Sequence, residues 1–192
     1  MGSTRLLGRA QAWVAEVHPH ARHLERTLDW LLALEPDASE GLRIAAAVHD
    51  IERAYPDEQS SWDSARDWDS EAYNRWHQDR CADIAARWLR EEGASPELVA
   101  EVDALVRVHE DGGWREADLL QAADSLSFLE TMVPLVVGWV ETGRAPRASA
   151  EAKLRHSVRR MNPALTRARE FAGPMYEDGL RRVAEAREPS PR

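Results

Sequence analysis

Apolar residues recur at helical spacing along nearly the whole chain, and glycine and proline fall mostly between those runs. Long stretches are therefore free to be helical, and none alternates with the period of two that a half-buried strand needs. Trp13, Val14 and Val17 mark an early stripe and Leu24, Leu28, Leu31 and Leu32 a second, with Pro19 breaking the helix between them. Pro36, Asp37, Ser39 and Gly41 make a turn, and a small-residue helix is predicted over 40–51. Helical pattern returns over 73–92 and stops at Gly93. Ser95-Pro96-Glu97 then combines an N-cap, a proline at the first helical position and an acidic first turn, opening a helix over 96–109. Gly112-Gly113 end it, and a long apolar helix over 115–141 follows, kinked at Pro134. Two more helices fill 149–161 and 163–186. The expected class is all-α, one domain over residues 1–186, with a disordered tail at 187–192. With 192 residues, such a domain can bury a substantial core.

The stretch 52–72 breaks this pattern. It is polar, rich in Ser and Asp, and carries Trp62 and Trp68. A loop this long is either functional or an insertion pinned by its tryptophans.

The formal net charge of −9 makes non-specific binding to nucleic acid or an anionic membrane unfavourable. Of the 25 basic residues only Lys153 is a lysine, which reflects either a need for bidentate anion binding or genome composition. Cys81 is the only cysteine, so no intrachain disulfide forms, in keeping with a reducing cytoplasm. The N-terminus lacks the apolar core of a signal peptide. The longest apolar run, LETMVPLVVGWV, falls far short of the roughly 20 residues that span a bilayer. The expected location is cytoplasmic.

The run AAAVHDIERA, residues 45–54, turns from small apolar residues to His49 and Asp50 side by side. Successive side chains on a helix point about 100° apart, so the two converge on one ion only near a helix end. His23, His77, His109 and Asp124 likewise sit in or beside apolar helices rather than in surface runs. Imidazole and carboxylate are ligands that divalent transition metals favour, and helices packed around one core bring such groups together.

The ordered pieces ARHLERTLDWLLAL, IAAAVHDIER, RWHQDRCADIAARWL, VDALVRVHED and EADLLQAADSLSF resemble the HD superfamily of metal-dependent phosphohydrolases over about residues 20–130. PDASEGLRIAAAVHDIER and the segment Leu119–Arg160 also resemble an uncharacterised family of HD-like proteins, which suggests common ancestry and implies no activity. The superfamily resemblance implies an HD-type helical bundle. It also implies one ion held by His23, His49, Asp50 and Asp124 and a second by His77 and His109, with Asp50 bridging. The ions would be divalent: manganese, iron, cobalt, nickel or magnesium. His77 or His109 contacts a substrate phosphate in the alternative. Two features depart from the superfamily's pattern: Glu52 stands where relatives have a small residue, and Ser125 replaces a basic residue after Asp124.

The implied reaction is hydrolysis of a nucleotide or other small phosphate ester by metal-activated water. Asp50 and Glu52 are then the catalytic candidates, with Asp79 a further proton carrier; Glu52 alternatively pairs with Arg53 or Arg75. Arg53 and Arg80 are the first candidates for substrate phosphate, then Arg75, while Arg22 and Arg26 flank His23. Trp62 and Trp68 either cover the site or anchor the core. His18 and His20 are expected in a loop and His156 on an exposed face. The six-ligand pattern also resembles the diiron oxygenase branch of the superfamily. A nucleotide-sensing module without turnover is the non-enzyme alternative. The expected partner is a small phosphorylated molecule, with no nucleic acid and no membrane; exposed tryptophans leave a homodimer open.

Overall fold

The fold, described by a computed structural model for residues 3–55 and 61–189, is all-α. Among the described residues the helices are α1 (Ser3–Val17), α2 (Ala21–Leu34), α3 (Glu40–Val48), α4 (Ser64–Asp67), α5 (Glu71–Glu91), α6 (Pro96–Val106), α7 (Arg115–Thr131), α8 (Val133–Glu141), α9 (Arg147–Arg159) and α10 (Thr166–Glu185). A single 3₁₀ turn, Ile51–Ala54, follows α3.

Local chemistry sets the ends. The hydroxyls of Ser39, Ser70 and Ser95 accept from the amides of Leu42, Tyr73 and Leu98, satisfying N–H groups that the first helical turn leaves free. Gly93 ends α5 with φ of +77°, a conformation that a Cβ would oppose. The long helix expected over 115–141 is two helices bent by 57°. Pro134 brings no N–H to the ladder and crowds the Glu130 carbonyl, so the axis breaks at Met132. The polar stretch 52–72 contains the 3₁₀ turn and α4, whose cap is Asp63 Oδ1 accepting from Ala65 N at 2.8 Å. Neither is long enough to show a period. Residues 56–60 lie outside the described residues, as do 190–192 of the expected tail. Just before the latter, Glu188 pairs with Arg147 at 3.2 Å on α9.

Two apolar clusters fill the interior. One joins α1, α2, α3, α5 and α6 with the start of α7; the other joins α7, α8, α9 and α10 with Ala65 and Trp68. α7 packs along α2 and α10 and belongs to both. Leu120 faces the first cluster and Leu126 the second, each fully buried, and burying a leucine is worth about 1.5–3 kcal/mol. α3 is buried on nearly every side, and Ala45, Ala46 and Ala47 let α1, α2 and α6 approach closely. Its C-terminal end is thereby aimed at the interior. No single helix among the described residues is long and apolar enough to cross a membrane.

Candidate metal centre

Four imidazoles form a continuous row inside the bundle. His23 comes from α2, His49 from the end of α3, His109 from the turn after α6 and His77 from α5. Ring centroids are 5.4 Å apart for His23–His49, 5.2 Å for His49–His109 and 5.1 Å for His109–His77. All four are at most 4% exposed.

A nearby oxygen engages one nitrogen of each ring. His49 Nδ1 donates to the Ala46 carbonyl at 3.1 Å, and His109 Nδ1 to that of Val106 at 2.7 Å. Both carbonyls lie one helical turn back, so the end of each helix orients its own histidine. His23 Nδ1 is 2.9 Å from Ser127 Oγ on α7, whose hydroxyl donates to the His23 carbonyl at 2.6 Å. His23 Nδ1 is therefore the donor in the first contact. His77 Nδ1 meets Glu52 Oε1 at 3.0 Å. Such partners fix the tautomer and leave Nε2 for a metal.

The Nε2 atoms meet carboxylates at both ends of the row. Asp124 Oδ1 is 3.1 Å from His23 Nε2 and 3.3 Å from His49 Nε2. The second approach lacks hydrogen-bond geometry, so His49 Nε2 is buried without a partner among the described residues. At the other end, Asp50 Oδ1 is 3.1 Å from His77 Nε2. Among the described residues three ligand-sized groups result: His23, His49 and Asp124; Asp50, His77 and Cys81; and His77, His109 and Glu110. These buried groups could hold a metal ion, and the orphaned nitrogen of His49 fits a cation better than it fits the empty pairing with Asp124.

Charge is balanced around the row. Arg160, at the end of α9, reaches Asp124 and Glu110 with its Nη atoms and Ser125 Oγ with Nε at 2.8 Å. Burial pushes the Asp124 carboxyl up, but the Arg160 charge and contacts from His23 and His49 outweigh it and hold the group well below the usual carboxylate range. Asp50 is low for a parallel reason: burial opposes ionisation, and the Arg53 charge and His77 outweigh it. Burial, reinforced by the neighbouring His77 and His49, drives His109 down to about 3, leaving it neutral at pH 7 and able to offer Nε2. In His77 burial favours the neutral ring, but Cys81 and Asp50 prevail and raise its pKa well above the usual value. A metal there must displace a proton.

A cavity of about 110 Å³ opens onto this row, lined among others by His23, His49, Asp50, His109, Glu110 and Asp124. Family comparison matches residues 9–175, most of the chain and every residue of the row. The chain belongs to the DUF4202 family. That family is described as a domain of unknown function. No curated protein and no solved structure matches the chain.

Within this DUF4202 chain the expected ligands His23, His49, His77 and His109 form the row, and Asp124 meets its His23–His49 end. Asp50 is beside His77 rather than in the group formed by His23, His49 and Asp124. The α3 helix ends at Val48, not at 51, and Asp50 follows with φ −106° and ψ 17°. That turn directs its carboxylate toward α5.

The flanking candidates divide. Arg53 lines the cavity and pairs with Glu52 at 2.9 Å. Arg75 pairs with Glu71 on the surface, and Arg80 donates to the Tyr55 carbonyl at 2.8 Å. Asp79 is held outside by Arg107 at 3.0 Å. Glu52, 4% exposed, stands between His77 and Arg53 and orients that imidazole. Among the anticipated loop residues, His18 is buried: its Nδ1 accepts from His20 N at 3.1 Å, so its Nε2 donates to the Asp50 carbonyl at 3.0 Å. His20 lines the cavity. His156 is half-buried against Trp68, not exposed, and burial with the charges of Arg160 and Lys153 takes it down to about 4. Trp68 is buried, lines the cavity and donates to Ser149 Oγ at 3.1 Å.

Glu110, Lys153 and Arg160 are functional candidates that the sequence reading does not include. Glu110 directly follows His109 and could have been found by that adjacency. The charge absent at Ser125 comes from Arg160, 36 residues beyond Asp124, and no local pattern announces it.

Proposed function

We propose that this chain is a metal-dependent phosphohydrolase of the HD type, acting on a nucleotide or other small phosphate ester. The observation that carries the reading is the buried, unpartnered Nε2 of His49 beside His23 Nε2 and Asp124 Oδ1. One ion is assigned to His23, His49 and Asp124. A second is assigned to His77 and Asp50, with His109 and Glu110 at hand. A divalent ion there supplies Lewis acidity to water and to phosphoryl oxygens.

The chain's own groups do the rest. Asp50, Glu110 and Asp124 bring three negative charges to the cavity wall, and Arg53, Lys153 and Arg160 bring three positive ones. The protein's contribution is thus close to neutral, and a divalent ion tips the cavity positive, which favours a phosphate dianion. Arg53 is poised to hold phosphoryl oxygens, because its guanidinium lines the cavity and is fixed by Glu52 and Asp50. Arg160 keeps Asp124 ionised and positioned. His18 fixes the Asp50 backbone, so the carboxylate meets His77 in a set direction. Trp68 and Trp139, both lining the cavity and largely buried, keep bulk water from its apolar side.

The test is elemental analysis of the purified chain together with a panel of phosphomonoesters and nucleotides. Stoichiometric manganese, cobalt, nickel or iron, with hydrolysis that a chelator removes and added ion restores, is the expected result. Absence of bound metal, or phosphate release that a chelator leaves unchanged, overturns the reading. So does iron with oxygen consumption and no phosphate release, which assigns the site to oxidation.

A further inference from the structure

The cavity has a second, largely apolar wall, which the proposed chemistry uses only to exclude water and to add one positive charge. Trp68, Phe128, Met132, Leu135 and Trp139 line it, giving an apolar surface next to the charged row. Lys153, the chain's sole lysine, projects from α9 into this wall. Its Nζ is 5.5 Å from the centroid of Trp68 and 5.2 Å from that of Phe128. Two aromatic faces therefore hold the ammonium in place; among the described residues no carboxylate comes within ion-pair distance of it, and Glu110 acts on it only from farther away. A cation placed in this way is preorganised for an anion that arrives with a ligand.

Unpartnered buried polar atoms gather here as well. Besides His49 Nε2, the hydroxyl of Tyr73 and the indole Nε1 of Trp139 have no hydrogen-bond partner among the described residues, and both residues line the cavity. Buried donors without partners are uncommon in folded chains, and several around one cavity suit a ligand with acceptors of its own. Size narrows the class. Drug-sized and cofactor ligands generally occupy about 300–1,000 Å³, and this cavity holds about 110 Å³. A single ring fits that scale better than a nucleoside does.

We propose that this wall is a second subsite, in which Lys153, framed by Trp68 and Phe128, and the indole N–H of Trp139 receive a flat single ring bearing a carboxylate or similar anionic acceptor. Resting on the phosphohydrolase reading, this names the substrate class as small aryl phosphates that carry a second acidic group.

Isothermal calorimetry on the metal-loaded full chain tests it with probes that cannot be hydrolysed: carboxyphenylphosphonate, phenylphosphonate, methylphosphonate and the methylenephosphonate analogue of adenosine monophosphate, in which a methylene group replaces the ester oxygen. The expected affinities fall in the order carboxyphenyl, phenyl, methyl, with the nucleotide analogue no tighter than methylphosphonate. The carboxylate should add about tenfold, the scale of a charge-assisted hydrogen bond. Lys153→Met should erase that step and Lys153→Arg should retain most of it, while both leave the ratio of phenylphosphonate to methylphosphonate affinity as it is in the wild type. Equal affinities for the three phosphonates, a nucleotide analogue that binds tightest, or a carboxylate step that survives in Lys153→Met overturns the subsite. The ordered series without turnover of any phosphate ester leaves the subsite standing and removes the phosphohydrolase reading. Turnover without the ordered series does the reverse.

Discussion

Asp124→Asn is expected to abolish metal-dependent stabilisation and to reduce phosphatase activity to background. Asp124 Oδ1 is the one oxygen that approaches both His23 and His49. Removing an outer-shell partner costs roughly 10- to 100-fold in metal affinity, and Asp124 is assigned to the ion directly, so its loss should exceed about 100-fold. The amide keeps the shape of the carboxylate and limits damage to packing. In the wild type, an ion at about 100 times its Kd should add about 2.7 kcal/mol to the folded state. For a chain of this size that is roughly 5–10 °C in Tm. Thermal melts with and without a chelator read the effect, and an Asp124→Asn chain whose Tm still rises by that amount with added ion would sink the assignment. Asp50→Ala should show the same loss of activity with helicity intact, because the Asp50 side chain makes no helix-capping bond.

Arg160→Met is expected to destabilise the fold strongly and in a pH-dependent way. The guanidinium bridges Asp124, Glu110 and Ser125, and its side chain is 7% exposed. Breaking a buried pair by removing one partner typically costs about 3–5 kcal/mol. In Tm that is roughly 6–20 °C. The sign of the pH effect follows from Glu110. Burial raises its carboxyl, but the charges of Arg160 and Lys153 prevail and depress it from 4.5 to about 2. A depressed carboxyl stabilises the native state above its unfolded value, and that contribution fades as pH falls from 4.5 toward 2. Asp124, also depressed with Arg160 as its main charged partner, adds to the same trend. The difference between wild type and Arg160→Met should therefore be largest near neutrality and shrink in acid. Urea unfolding over that range measures it, and a pH-independent difference would contradict this account.

Helix positions were largely legible because their ends carry local chemistry. Ser95-Pro96 and Gly93 act within a few residues, and the α5 and α6 limits follow from them. The division of the long apolar run was only half legible. Pro134 signals a bend, but its full 57° depends on how α8 packs against α9 and α10. The site's histidines and Asp124 stood out because polar groups in apolar helices need a reason. Arg160 and Lys153 did not, since α9 is basic over most of its length and reads as a solvated face. Only the tertiary packing of α9 against α7 brings two of its cations inward. Glu52 was partly legible: its place after Asp50 suggested either proton transfer or an ion pair with Arg53, and the 3₁₀ turn sets it between His77 and Arg53.

The position of α7 has a further consequence. It supplies Asp124, Ser125 and Ser127 to the polar centre while its leucines hold both apolar clusters together. Strain at the centre thus falls on the helix that couples the two halves of the molecule. Local fraying cannot release Asp124 without parting those halves, so the amide hydrogens of α7 should exchange with solvent only when the chain unfolds cooperatively.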